Sequence, residues 1–306
     1  MIKEENDPFD CFGSEEEEVL RKDVSSISVV NNKEGNRHDD CGVLSFHPNT
    51  ESSLLVHVQN KYARIQQQAG SKNLGIAIME CMDEFCYNRH WMMNVGPEKG
   101  QIVSQVLLDC IQTKQSSNNN DVSFHCVELG TYCGYASILL ATILQQQQGR
   151  KGHLWTVEIN PMYQTIAKQL VEMAQLQDYV TFVPLNLNYD GTTQNVATVV
   201  SSFITDATKI DFLFIDHDKD KYLHDLQLFE RHGLLQTNTT VVADNVIFAQ
   251  IHDYINYMKN HQTNGIVHTQ THMSKVEYST SPSSQPQNQN HKDTTSNLYD
   301  DGIGKL

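Results

Sequence analysis

Residues 127–137 read VELGTYCGYAS, and this stretch decides the fold. Its first residues close the apolar run HCVELG (125–130), Gly130 breaks that run, and from Tyr135 to Gln148 apolar residues recur at helical spacing. A strand passing through a glycine turn into a helix is the first half of a βαβ unit. The pattern then repeats. HLWTVEI (153–159), VTFVPL (180–185), IDFLFID (210–216) and TVVADNV (240–246) are short apolar runs rich in β-branched residues. Pro161–Leu176, Thr193–Phe203 and Tyr222–His232 are helical stretches between them, and Pro161 suits the first turn of its helix. Continuous apolar runs are strands buried on both faces, which requires a parallel sheet covered by helices. A further strand within Ile266–Tyr278 and a return strand near the C-terminus complete the expected α/β architecture: a mostly parallel seven-stranded sheet with helices on both faces.

Outward from this core the chain changes character. Residues 1–50 are polar and include EEEE at Glu15–Glu18, so they are read as a disordered acidic N-terminal tail. One domain is expected over 51–306, opening with helices over Leu54–Arg64, Leu74–Arg89 and Gln101–Ile111. Polar insertions are expected at 115–121 (with QSSNNND) and 279–297, and QQQQ at 145–148 also reads as a loop.

Bulk properties narrow the function. The 306 residues carry a net charge of −15 and no basic stripe, which argues against a nucleic-acid partner and against stable association with anionic membranes. No apolar run reaches the ~18 residues of a membrane span, and MIKEENDPFD lacks the pattern of a signal peptide. The seven cysteines contain no CxxC and have no His pair beside them at zinc spacing. A reduced, cytoplasmic protein and a monomer are expected.

Ligands of open α/β sheets bind at the carboxyl ends of strands, where strand order reverses. Gly130 and Gly134 let the chain turn sharply there and approach a ligand closely. Their G-x-x-x-G spacing is not the dinucleotide G-x-G-x-x-G, and a tight packing turn explains it equally well. Two acids tip the balance. Glu158 at the end of the second strand can hold both hydroxyls of a ribose, and Glu128 lies near the end of the first. No lysine at the turn offers to cradle a pyrophosphate. An acidic, phosphate-free pocket suits a cationic nucleoside such as S-adenosylmethionine, with Glu128 acting towards its amino-acid end.

Asp216 ends the fourth strand, and Asp244 and Asn245 end the fifth. Neighbouring parallel strands bring such ends within ~5 Å. Two carboxylates and an amide oxygen suit a hard cation such as Mg2+. Capping of the following helices is the plainer alternative. Lys219 follows Asp216 by three residues. A lysine is a poor base at neutral pH, but a divalent cation beside it disfavours the protonated form. Lys219 is therefore the candidate general base, and Lys221 is read as solvated.

Taken together, the motifs WMMNVGPEKGQIV (91–103), VELGTYCGYAS (127–137), TVEINPMY (156–163), LQDYVTF (176–182), IDHDKDKYL (215–223), GLLQTNTTVVADNVI (233–247) and VEYS (276–279) resemble the catechol O-methyltransferase family over about 53–306. The resemblance implies a Rossmann-like S-adenosylmethionine-dependent methyltransferase fold and methyl transfer to one hydroxyl of a Mg2+-bound catechol or related ortho-diphenol. It implies Lys219 as catalytic base, and Asp216, Asp244 and Asn245 as metal ligands. It places Glu277, Asn245, Lys219, Trp91 and Met93 against the substrate. Around the cofactor it places Val95, Glu128, Gly130, Tyr132, Gly134, Ala136, Glu158, Ile159, Asp216 and His217, with His217 beside the adenine. Three positions depart from the family pattern. Asp218 stands where the animal enzymes have a tryptophan, which makes DKDKY similar to the caffeoyl-coenzyme A type. Ala136 replaces a serine, with Ser137 adjacent. PLNLNYD (184–190) fits the adenine-binding loop poorly.

Overall fold

The computed structural model describes residues 47–69, 73–115, 123–147, 151–186, 194–204, 209–275, 277–278 and 300–305. The acidic tail through residue 46, most of the two polar insertions and most of PLNLNYD lie outside the described residues.

Three helices come first. α1 (Thr50–Gln68) buries Leu54, Val58 and Ile65 along one stripe. α2 (Leu74–Asn88) starts at Asn73, whose side chain accepts a hydrogen bond from the Gly75 amide, and α3 spans Gly96–Gln115. The βα alternation follows: β1 (Phe124–Leu129), α4 (Tyr135–Gln146), β2 (Gly152–Glu158), α5 (Pro161–Met173), β3 (Val180–Pro184), α6 (Val196–Phe203), β4 (Ile210–Ile215), α7 (Tyr222–Arg231), β5 (Leu235–Ala243) and α8 (His252–Thr263). Asn160 caps α5 ahead of Pro161, and Asn195 caps α6. β6 (Thr271–Lys275) and β7 (Asp300–Lys305) come last.

β3, β2, β1, β4 and β5 lie side by side and parallel; β7 pairs antiparallel with β5, and β6 with β7. Successive strands build outward from β1 to β3 on one side, and the chain then crosses to β4 on the other. The strand order therefore reverses between β1 and β4, where a doubly wound sheet opens a crevice. β4 shows why both faces must be covered. Phe212 and Phe214 pack with residues of α1 to α5, Leu213 and Ile215 pack with α6 to α8, and all four are fully buried.

Several boundaries differ from the sequence reading. α1 starts at Thr50, inside the expected tail, Gln115 belongs to α3, and Gln145–Gln146 finish α4 instead of forming a loop. Glutamine is a good helix former, so polarity alone did not mark the ends. β5 starts at Leu235 and stops at Ala243, whereas 240–246 was expected. Its polar first half, Gln236–Asn238, is exposed, and Asn245 adopts φ 60°, which ends the extended run. Among the described residues no helix is long and apolar enough to cross a membrane.

Candidate active site

The turn after β1 takes three residues with positive φ: Gly130 at 99°, Tyr132 at 46° and Gly134 at 87°. A Cβ on Gly130 would lie 2.0 Å from the Asp216 carbonyl oxygen, and one on Gly134 would lie 3.0 Å from Ala167 of α5. The glycines thus permit the turn as expected, but what they let close in is the neighbouring loop and helix. The Tyr132 amide donates to Glu158 Oε2 and the Asn160 amide to Glu158 Oε1, both at 2.8 Å. Each oxygen keeps a lone pair for a further donor. Burial raises the proton affinity of Glu158. Ile159 beside it is exposed. The Tyr132 hydroxyl donates to Glu51 of α1 at 2.8 Å, which fastens α1 over the turn.

Glu128 is fully buried. Its Oε2 accepts hydrogen bonds from Ser137 Oγ and, at 2.6 Å, from Thr156 Oγ1, while Oε1 is buried without a hydrogen-bond partner. Burial pushes this carboxyl up to about 8; the two hydroxyls pull it down, and Asp216 and Glu158 add to the rise. An unsatisfied buried acceptor is costly, so Oε1 calls for a donor from outside, best a cationic one. Ser137 spends its hydroxyl on Glu128, and buried Ala136 contributes no polar group.

At the ends of β4 and β5, Ile215 pairs with Ala243, so Asp216 and Asp244 follow in register. The Asp216 amide donates to Leu129 O at 2.8 Å and the Asp244 amide to Ile215 O at 3.0 Å, extending the ladder by one residue. Lys219, in a 3₁₀ turn over Lys219–Lys221, places Nζ 2.9 Å from Asp216 Oδ1 and 3.1 Å from Asn245 Oδ1. Two expected metal ligands and the expected base therefore meet at one point, and the Lys219 ammonium stands where a cation would draw both oxygens. Nζ also donates to the Tyr222 hydroxyl at 2.7 Å, which in turn donates to Asp244 O at 3.1 Å. The third ligand, Asp244, directs Oδ2 to Lys99 Nζ at 2.8 Å. Burial raises the proton affinity of Asp216, and Lys219 opposes the rise. The donor set is all oxygen and fits a hard divalent cation.

Glu277 borders the same space. It is buried, its Oε1 accepts from the Lys99 amide at 3.0 Å, and burial pushes its carboxyl up to about 7. A Cβ on Gly96 would meet its carboxylate at 2.5 Å, so a glycine at φ 68° is what lets Glu277 lie there. Trp91 Nε1 donates to Glu277 O at 2.9 Å and joins the two walls. Met93 is half-buried, and Val95 belongs to the core. His217 stacks on Tyr222 with ring centroids 5.3 Å apart, and its Nε2 lies 2.9 Å from Asp225 Oδ2. Its Nδ1 is buried without a hydrogen-bond partner. Asp218 is exposed and accepts from the Asp220 amide at 3.2 Å, so here a carboxylate does cap a turn.

Sequence reading missed Lys99, Tyr222 and Glu51. Lys99 had a signal. It falls between buried Val95 and Val103 at four-residue spacing, and a charge on a buried helix face needs a counter-charge. Tyr222 and Glu51 gave none, since their roles come from tertiary placement.

The family model described as a methyltransferase domain matches residues 127–246. The chain is 33% identical over 197 residues to catechol O-methyltransferase B of Danio rerio, covering 64% of this chain and 66% of that protein. It is 35% identical over 183 residues to catechol O-methyltransferase of Bos taurus, covering 60% of this chain and 59% of the relative. To catechol O-methyltransferase of Sus scrofa it is 36% identical over 167 residues, covering 55% of this chain and 78% of the relative. The match thus spans less than two thirds of the Danio and Bos proteins, 66% and 59%.

Proposed function

Because the chain belongs to the catechol O-methyltransferase family, we propose that it is a Mg2+-dependent methyltransferase that moves a methyl group from S-adenosylmethionine to one hydroxyl of a catechol or related ortho-diphenol. The observation that carries this reading is Lys219 Nζ held between Asp216 Oδ1 and Asn245 Oδ1 at 2.9 and 3.1 Å. A base and two cation ligands converge there, beside a turn suited to a cationic nucleoside.

Asp216, Asp244 and Asn245 would hold the ion, which supplies acidification of a coordinated hydroxyl. Glu158 would accept the ribose hydroxyls, and the unpartnered Oε1 of Glu128 would be available to the ammonium end of the cofactor. Lys219 Nζ accepts the proton of the reacting hydroxyl. Glu277, whose carboxyl is pushed up to about 7, takes a hydrogen bond from the second hydroxyl or returns one. Trp91 and Met93 wall the aromatic ring. Holding two reactants aligned can remove roughly 7–11 kcal/mol of barrier, so these residues act mainly by positioning.

The test is product analysis over a panel of ortho-diphenols with Mg2+ and with excess chelator. Methylation of a catechol that stops with chelator is expected. Full activity in chelator removes the three oxygen ligands from the reaction, and the absence of product from every diol rejects the enzymatic reading. One observation favours a second substrate class. Asp218 is an exposed carboxylate where the family resemblance implies a tryptophan, and an opening without that ring suits a larger vicinal diol of phenylpropanoid or flavonoid type. A better kcat/KM for such diols than for simple catechol would select it.

A further inference from the structure

A second group of metal-binding side chains lies on α1 and α2, and the proposed reaction does not use it. His57 of α1 faces Cys81 and Glu84, three residues apart on α2. One ligand atom from each, imidazole nitrogen, thiol sulfur and carboxylate oxygen, lies within 4.8 Å of the other two. We propose that His57, Cys81 and Glu84 form a binding site for a thiophilic divalent cation of the Zn2+ type, separate from the oxygen ligands at Asp216 and Asp244.

Four observations support it. Residues at i and i+3 share one helix face, and facing helices are a common frame for such sites. His57 Nε2 is buried and has no hydrogen-bond partner, although imidazole nitrogens are strong ligands and costly to bury unpaired. Its ring meets Phe85 edge-on, with centroids 5.4 Å apart. Burial and the nearby Lys61 lower the proton affinity of His57, while burial raises that of the Cys81 thiol, whose proton the metal must displace.

The donor types decide the metal. Nitrogen, sulfur and carboxylate oxygen suit Zn2+, whereas Mg2+ takes oxygen alone. Zn–S and Zn–N bonds of about 2.3 and 2.0 Å set tetrahedral ligand atoms roughly 3.5 Å apart, and separations already within 4.8 Å leave only a small closure on binding. Capture forms the metal–sulfur bond and releases the Cys81 proton to solvent. A water fills the fourth position. Lys61, one turn beyond His57, is ion-paired with Glu84 and yields that carboxylate to the incoming cation.

The experiment is titration of Co2+, a spectroscopic substitute for Zn2+, into the full chain in saturating Mg2+. One equivalent should raise a thiolate-to-cobalt charge-transfer absorption, and Zn2+ should abolish it by displacement. Cys81→Ser should remove the band. His57→Gln and Glu84→Gln, at partly exposed positions that folding tolerates, should each weaken binding about tenfold or more. Lys61→Met should tighten it several-fold by freeing Glu84. No band, or a band that survives Cys81→Ser, overturns the proposal. So does a band that needs Cys81 but ignores both His57 and Glu84, since that is a lone thiol.

Discussion

Lys99 and Asp244 form an ion pair closed off from solvent: Nζ lies 2.8 Å from Oδ2, and the two side chains are 4% and 2% exposed. The same lysine donates its backbone amide to Glu277. One residue of α3 thereby holds both a candidate metal ligand and a candidate substrate acceptor.

Lys99→Met should destabilise the protein by about 3–5 kcal/mol, because it strands a buried carboxylate. Urea denaturation measures this. Added Mg2+ should recover part of the loss in the variant, since a cation can replace the missing ammonium. A loss below ~1 kcal/mol would mean that Asp244 finds another partner.

Lys219→Ala should lower kcat by about 10²- to 10⁴-fold, the usual contribution of a general base. Cofactor affinity measured by calorimetry should hardly change. An equal fall in cofactor binding would assign the lysine to structure, through its bonds to Asp216, Tyr222 and Asn245.

Glu128 should make the cofactor-free protein less stable as pH rises. Its folded-state value of about 8 stands above the ordinary 4.5, so the folded state holds the proton more tightly than the unfolded chain. The stabilisation is full below about 4.5, falls as pH climbs, and is gone above about 8. The scale is ~5 kcal/mol. Glu128→Gln, which stays uncharged, should flatten this part of the pH–stability curve in thermal melts. An unchanged slope would show that Glu128 ionises freely when folded.

Gly130→Ala should cost at least ~2 kcal/mol in urea denaturation, since alanine at φ 99° is strained and its methyl would run into the Asp216 carbonyl. Divalent-cation affinity should fall with it, because Asp216 must shift. A variant of normal stability and affinity would show that the two loops separate freely.

These residues mark how far the sequence could be read. The five parallel strands were legible because β4 and its neighbours are apolar on both faces, and the turn at Gly130 because only glycine suits it. Asp216 and Asn245 were legible as oxygens at strand ends. The first half of β5 was not, since Gln236–Asn238 is polar and its register with β4 shifts between Ile210 and Phe212. His57, Cys81 and Glu84 carry no spacing signal across two helices; only the packing of α1 on α2 makes them neighbours.

The bond from Trp91 to Glu277 spans 186 residues of chain. The five parallel strands, the turn after β1 and Glu158 all lie between its two ends, while β7 follows Glu277. A polypeptide emerging from the ribosome therefore contains the residues proposed to hold the donor well before Glu277 can anchor the opposite rim. On the proposed reading, the acceptor side of the site is the later of the two to be completed during synthesis.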